Sequence, residues 1–164
     1  MRPRIAHSEL TKVIAYDEST GQFAWRKSRG CVVAGPVRGS VDQDGYIKIT
    51  INRTHYFAHR LAWFYANGVW PEGEIDHRNG DRADNRLANL RLATRSQQTA
   101  NSRAHRDSQS GVKGVSWHKG DKKWRAVIQV QGKEHALGKF DTLDEAALAY
   151  QQAAIRHFGE FARF

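Results

Sequence analysis

The sequence predicts an α+β protein built from two units joined by a short polar linker. Three observations predict it. Residues 1 to about 70 carry runs that alternate apolar and polar side chains and end in one apolar helix. Residues 71–104 read as strand, polar turn, strand and helix. Residues 112–164 hold three strand-like runs followed by one amphipathic helix.

Taken in order, "TGQFAWRK" and "DGYIKITINRTHYFA" alternate and are rich in Thr, Ile, Tyr and Phe, as strands are, with "INRTHY" as a hairpin turn. "HRLAWFYANG" follows, with Leu61, Trp63, Phe64 and Tyr65 apolar and Gly68 as a stop, so a short buried helix is expected over 58–67. Trp25, Trp63 and Trp70 are expected in the core. "GEIDH" and "LRLAT" read as strands, with Leu90 and Leu92 as core residues, and "RSQQTANSRAH" as a helix over 95–104. Residues 103–111, "RAHRDSQSG", are polar and without period, which marks a linker. "KGVSWH", "KKWRAVIQV" and "KEHALGKF" then read as a three-stranded antiparallel sheet with turns at "KGD" and "QG". Thr142 and Glu145 have capping-box spacing, an apolar stripe runs from Leu143 to Phe158, and Gly159 ends the helix. The expected division is 1–104, linker 105–111, and 112–164.

The 164 residues carry 26 Lys and Arg against 17 Asp and Glu, a formal net charge of +9. The excess is spread: nine against five in 1–53, seven against five in 54–104, ten against seven in 105–164. Distributed positive charge fits a nucleic-acid partner, because many cations can neutralise phosphates together. The single cysteine, Cys31, excludes an internal disulfide and a Cys-based zinc site. The N-terminal "MRPRIAHSEL" lacks a signal-peptide core and no run is apolar enough to span a membrane, so a cytoplasmic protein is expected.

The stretch "EIDHRNGDRADNRLANLRLAT", Glu74 to Thr94, carries the chemistry. Hydrolysis of a phosphodiester needs a base for water, most often His, and a hard cation, which takes oxygen ligands from Asp or from amide side chains. Asp76 and His77 are adjacent at a strand end, where one can face a metal and the other the substrate. A turn-rich surface loop is the competing explanation of the same residues.

Residues 75–101, "IDHRNGDRADNRLANLRLATRSQQTAN", resemble the ββα-metal core of HNH endonucleases, especially the phage-type homing endonucleases. Upstream, "YDESTGQFAWRK", "GYIKI" and "YFAHRLAWFYANGVWP" resemble the N-terminal half of those proteins, so the likeness spans residues 10–104. The resemblance implies His77 as general base, Asp76 as metal ligand, and Asn89, twelve residues on, as the middle Asn of the catalytic motif, pinning the loop and helping to orient the His. Asn79-Gly80 and Asp84-Asn85 match the connecting loop, where turn formation is explanation enough. The third motif position is usually His or Asn. Here it falls on Gln98, with Asn101 one helical turn later. Three outcomes stay open: Gln98 holds the metal, Asn101 does, or affinity is reduced. The cofactor implied is one divalent ion, Mg²⁺ or Mn²⁺. His59, before Arg60, matches a recurrent His-Arg pair, with a packing or DNA-backbone role expected.

Residues 111–164 resemble the plant ethylene-response-factor (Apetala-two) DNA-binding domain through "KGVSW", "KKWRAVI", "LGKFDTLDEAALAY" and "FGEFARF". The first strand departs from the plant pattern: "SWHKGDKK" stands where several Arg are usual. Alternation in "WRAVIQV" places Trp124, Ala126, Ile128 and Val130 toward the helix, and Arg125, Val127 and Gln129 outward. Lys113, His118, Lys119, Lys122, Lys123, Arg125, Gln129 and Lys133 are the expected DNA contacts. The expected partner is double-stranded DNA, with no membrane and no evident protein partner; monomer and dimer are both open. Metal-dependent nuclease is the leading reading. A DNA-binding protein with a decayed nuclease core and a virion protein retaining the fold are the rivals.

Overall fold

The computed structural model describes residues 5–28, 30–105 and 107–164. Residues 1–4, within the N-terminal stretch read for a signal peptide, and Arg106 of the expected linker lie outside the described residues. The chain forms two compact units, Met1–Leu92 and Ala93–Phe164.

In the first unit, helix α1 (His7–Val13) leads into strands β1 (Ile14–Asp17), β2 (Gln22–Trp25) and β3 (Gly35–Pro36), which form one antiparallel sheet. Strands β4 (Ser40–Val41), β5 (Ile47–Ile51) and β6 (Thr54–Phe57) form a second. Helix α2 (Ala58–Asn67) follows, and the two-stranded ribbon of β7 (Glu74–His77) and β8 (Leu90–Ala93) carries the Asp-His stretch. The hairpin between β5 and β6 turns on Asn52 and Arg53, both at positive φ (50° and 63°), as a right-twisted two-residue turn requires. Gly68 ends α2 in the left-handed conformation (φ 73°), its N–H donating to the Phe64 carbonyl, as the sequence led us to expect. Leu10, Ile14 and Leu61 are fully enclosed at the centre of the core, with Ile49, Ile51, Phe64, Ile75 and Leu90 around them. Trp25, Trp63 and Trp70 are partly buried against it.

Helix α1 had no counterpart in the sequence reading. Its seven residues bury only Leu10, so no apolar period announces it. Leu92 is a correction: it is 46% exposed, whereas Leu90 is 5% exposed. The two share a strand face but sit about 7 Å apart along it. Leu90 lies next to the 3₁₀ turn Leu87–Asn89, over which α2 packs, and Leu92 lies beyond that cover.

The second unit starts with α3 (Arg95–Asn101), which packs against the helix α4 (Leu143–Phe158). α3 thus lies in the second compact unit. Between the helices lie β9 (Val115–His118), β10 (Lys123–Val130) and β11 (Lys133–Phe140), in sheet order β11-β10-β9. Thr142 caps α4 through Glu145 in a reciprocal capping box. Val115, Ala126 and Ile128 meet Ala146, Tyr150, Ala153 and Ala154. Trp124 and Val130 join that cluster and Val127 does not, so β10 turns the expected side to the helix. The mixed architecture of small antiparallel sheets and helices bears out the predicted fold class.

One close approach fixes the β1–β2 hairpin against the loop that leads to the site. A Cβ on Gly21 (φ 73°) would lie 2.5 Å from the Arg86 nitrogen and 2.6 Å from the Asn85 carbonyl carbon. Gly21→Ala should therefore destabilise the protein by about 2–4 kcal/mol, from left-handed strain plus overpacking. Urea unfolding checks this; a change below about 0.5 kcal/mol would contradict the packing.

Candidate active site

The ribbon β7–β8 buries polar groups that an ordinary core strand would not. Asp76 is 5% exposed, His77 3% and Arg91 6%. A lone buried carboxylate is costly, and Arg91 answers it. Its Nε donates to Asp76 Oδ2 at 2.9 Å, and its terminal nitrogen lies 2.8 Å from the same oxygen. Sequence reasoning missed Arg91. The available signal was an Arg inside an otherwise apolar strand that faces an Asp-bearing strand.

His77 is held from the far side of the loop. Asn85, 3% exposed, places Oδ1 3.4 Å from His77 Nε2. Asn85 Nδ2 donates to the Ala83 carbonyl, which fixes the amide so that Oδ1 faces the ring. An amide oxygen only accepts, so the proton of the neutral ring sits on Nε2 and Nδ1 carries the lone pair. Burial lowers the His77 pKa, against the opposing pull of Asn85, Asp76, Asp81 and Asp84. A lowered value keeps the ring neutral and basic at physiological pH. The backbone carbonyl of Asn85 accepts a hydrogen bond from the Tyr16 hydroxyl at 2.7 Å, and Leu87 N–H donates to the Glu18 carbonyl. The N-terminal hairpin thus sets the segment that orients the histidine, and Asn85 is more than a turn residue.

Asn89 ties the loop together. Its Oδ1 accepts from the Asn79 N–H at 3.0 Å, and its Nδ2 donates to Asn79 Oδ1 at 3.1 Å and to the Asp84 carbonyl at 2.8 Å. Arg78 N–H donates to the Asn89 carbonyl. Asp84 in turn accepts from Asn79 Nδ2 and Arg86, and Arg86 holds the Asp84 pKa down at about 2.

His59 lies edge-on to His77, ring centres 5.3 Å apart, and is stacked on Phe57. Burial first, and His77 next, lower its pKa to about 3, so it is neutral and packs as an aromatic wall. Tyr46, which the sequence reading did not single out, flanks both rings, and burial raises its pKa.

Among the described residues, no three His, Cys, Asp or Glu side chains converge to hold a metal. A cation here would need Asp76 together with amide oxygens. These are hard donors and suit Mg²⁺ or Mn²⁺. Gln98 and Asn101 lie on α3 of the second unit, Gln98 half-buried and Asn101 buried.

The second unit presents a sheet face opposite its helix. Register places Ser116, Arg125 and Lys139 in one row, and His118 beside Lys123 in the next. Arg125 pairs with Glu134 at 2.5 Å, Lys123 with Asp141 at 3.0 Å, and Lys139 with Asp121, which also lies 3.4 Å from His118. Lys139 was missed: the register shift between Ala126 and Val127 breaks the alternation along "KEHALGKF", which by itself would put Lys139 on the face of the core residue Leu137. Gln129 and Lys133 are exposed, and Lys119 and Lys122 lie in the β9–β10 turn region. Lys113 differs from the rest: its Nζ donates to the carbonyls of Thr99, Ala100 and Ser102, capping α3, and burial lowers its pKa to about 8. This ammonium is occupied by its own chain.

Comparison with known proteins places these features in a wider setting. A family model described as HNH endonuclease matches residues 56–100, and an AP2 domain model matches residues 110–160. The chain is 37% identical over 107 residues to Protein 3.8 of Escherichia phage T7, covering 65% of this chain and 88% of that protein. It is 31% identical over 88 residues to an uncharacterised HNH endonuclease of Acanthamoeba polyphaga mimivirus, covering 54% of this chain and 44% of that protein. A solved structure on DNA binding and cleavage by the HNH homing endonuclease I-HmuI is 19% identical, with a TM-score of 0.43 over 89% of this chain and 77% of that one.

The Asp76–Arg91 pair generates a stability prediction. Arg91→Met removes the ion-pair partner of a buried carboxylate and should cost about 3–5 kcal/mol in urea unfolding. Adding Asp76→Leu should recover most of that loss, because an apolar pair can replace a buried ion pair at little cost. A single-variant loss below about 1 kcal/mol would show that the pair is not needed to hold Asp76.

Proposed function

We propose that the chain is an HNH-type endonuclease with an AP2 domain, and that it cuts double-stranded DNA by metal-assisted hydrolysis at Asp76 and His77. DNA is the partner of the nuclease. The observation that carries the reading is the buried Asp76–His77 pair, with Arg91 holding the carboxylate and Asn85 orienting a neutral imidazole.

In this reading His77 Nδ1 takes a proton from water, and the resulting hydroxide attacks phosphorus. Asp76 would hold one divalent ion, Mg²⁺ or Mn²⁺, with Gln98 and Asn101 the amide candidates read from the sequence, and the ion would supply charge stabilisation at the phosphate and the leaving oxygen. The leaving group is the 3′ oxygen, so the products carry 3′-hydroxyl and 5′-phosphate ends. Asn89 keeps the loop closed over the strand pair and acts by position. The single Asp-His pair per chain supports nicking by one protomer. The AP2 sheet adds DNA affinity beside the nuclease, because tethering makes its binding intramolecular once the nuclease is engaged. Lys119, Lys122, Lys123, Arg125, Gln129, His118 and Lys133 serve that contact, mostly to phosphates. Lys113 contributes by fixing α3.

The test is cleavage of supercoiled plasmid and phage DNA with Mg²⁺ or Mn²⁺. Wild type is expected to nick, and both His77→Ala and excess EDTA should abolish nicking. Gln98→Asn, which restores the shorter amide, should match or exceed wild-type activity if Gln98 is the ligand. DNA binding with no cleavage by wild type or by the Gln98→Asn variant would favour the binding-only rival.

A further inference from the structure

The outer face of the AP2 sheet is not the bare cationic surface that its Lys and Arg content suggests. Each of the three cations along its two closest rows has a carboxylate of the same unit beside it. Arg125 has Glu134, Lys123 has Asp141 and Lys139 has Asp121. The partners are far apart in sequence, up to 18 residues, so chain proximity does not explain them. All six side chains are at least two-fifths exposed. Exposed pairs stabilise a fold by only about 0–1 kcal/mol each. Part of their effect is local: Arg125 and Lys139 face each other directly across the strands, and like charges so placed repel. Splitting the two cations between different carboxylates relieves that repulsion.

The same arrangement alters DNA binding. A phosphate that approaches Arg125 must displace Glu134, so it replaces one anion by another. Little net attraction is gained, because the displaced carboxylate stays beside the phosphate and offsets the charge that Arg125 would neutralise. We propose that Glu134, Asp141 and Asp121 act as built-in competitors of DNA phosphate, holding down the non-specific affinity of this sheet. The proposal rests on the reading that the sheet face contacts DNA. Arg125 would then engage fully only where a base edge or a well-placed phosphate offers better geometry than the single Glu134 contact.

A double-mutant cycle tests it on the full chain, in EDTA so that nothing is cleaved. Wild type, Glu134→Gln, Arg125→Ala and the double variant are titrated against random-sequence duplex DNA by fluorescence anisotropy between 50 and 200 mM salt. Glu134→Gln frees one cation for phosphate. It should strengthen binding, steepen the salt dependence by about 0.9 in log-log slope, and show a gain about threefold larger at 50 than at 200 mM. In the Arg125→Ala background the same change should do nothing. Arg125→Ala alone should weaken binding. If Glu134→Gln strengthens binding equally in both backgrounds, overall charge is responsible and the proposal fails. If it has no effect or weakens binding while Arg125→Ala weakens it, Glu134 supports Arg125 and the proposal also fails, with the DNA-contact reading intact. If Arg125→Ala changes nothing, the DNA-contact reading of this face fails first. Thermal unfolding of all four proteins checks that they share one fold.

Discussion

The site depends on the ion pair between Asp76 and Arg91, buried in a two-stranded ribbon. The guanidinium locks the buried carboxylate in direction, because two nitrogens of Arg91 lie within 2.9 Å of one oxygen. The arrangement has a functional cost: a cation shares the carboxylate that the proposed metal needs. Arg91 thus sets the orientation of Asp76 and tempers its charge in one contact.

Around that pair the first unit builds a rigid support from backbone outward. The β1–β2 hairpin docks through Gly21 on the Asn85–Arg86 backbone, and Tyr16 clamps the Asn85 carbonyl. Asn85 then reaches His77, while Asn89 stitches residues 78 to 84 into a fixed loop. His59 and Tyr46 close the aromatic side. The proposed mechanism requires a base held within a fraction of an ångström of its working place, and the many side-chain hydrogen bonds of this short loop meet that requirement. The second unit follows a different physical plan. Its helix and sheet share an apolar core, and its outer face is arranged by charge pairing.

Much of this was legible in the sequence, for local reasons. Helix α4 announced itself by period and capping box, α2 by its apolar run and Gly68, and the three AP2 strands by alternation. Asp76, His77 and Asn89 were legible as a spaced motif. What stayed hidden depends on contacts distant in the chain. Arg91 meets Asp76 across 15 positions, and Tyr16 meets Asn85 across 69. A polar residue in an apolar strand hints at Arg91, but no local pattern names either partner. Asn85 was read as a turn residue because Asn favours turns for its own reasons. Lys113 was read as a DNA contact because an exposed-looking Lys gives no sign that three helix carbonyls will claim it. The packing of α3 against α4 leaves no trace in its own seven residues.

The central claim is that His77 is the base for water in DNA cleavage, and chemical rescue tests it most directly. In His77→Gly the imidazole is removed and a space of its shape remains. Added imidazole should restore nicking of supercoiled DNA in that variant, in proportion to its neutral form, and should not restore it in Asp76→Ala. Nicking by His77→Gly at the wild-type rate without imidazole would contradict the account. So would failure of imidazole to restore any cleavage in a variant that still binds DNA and folds normally.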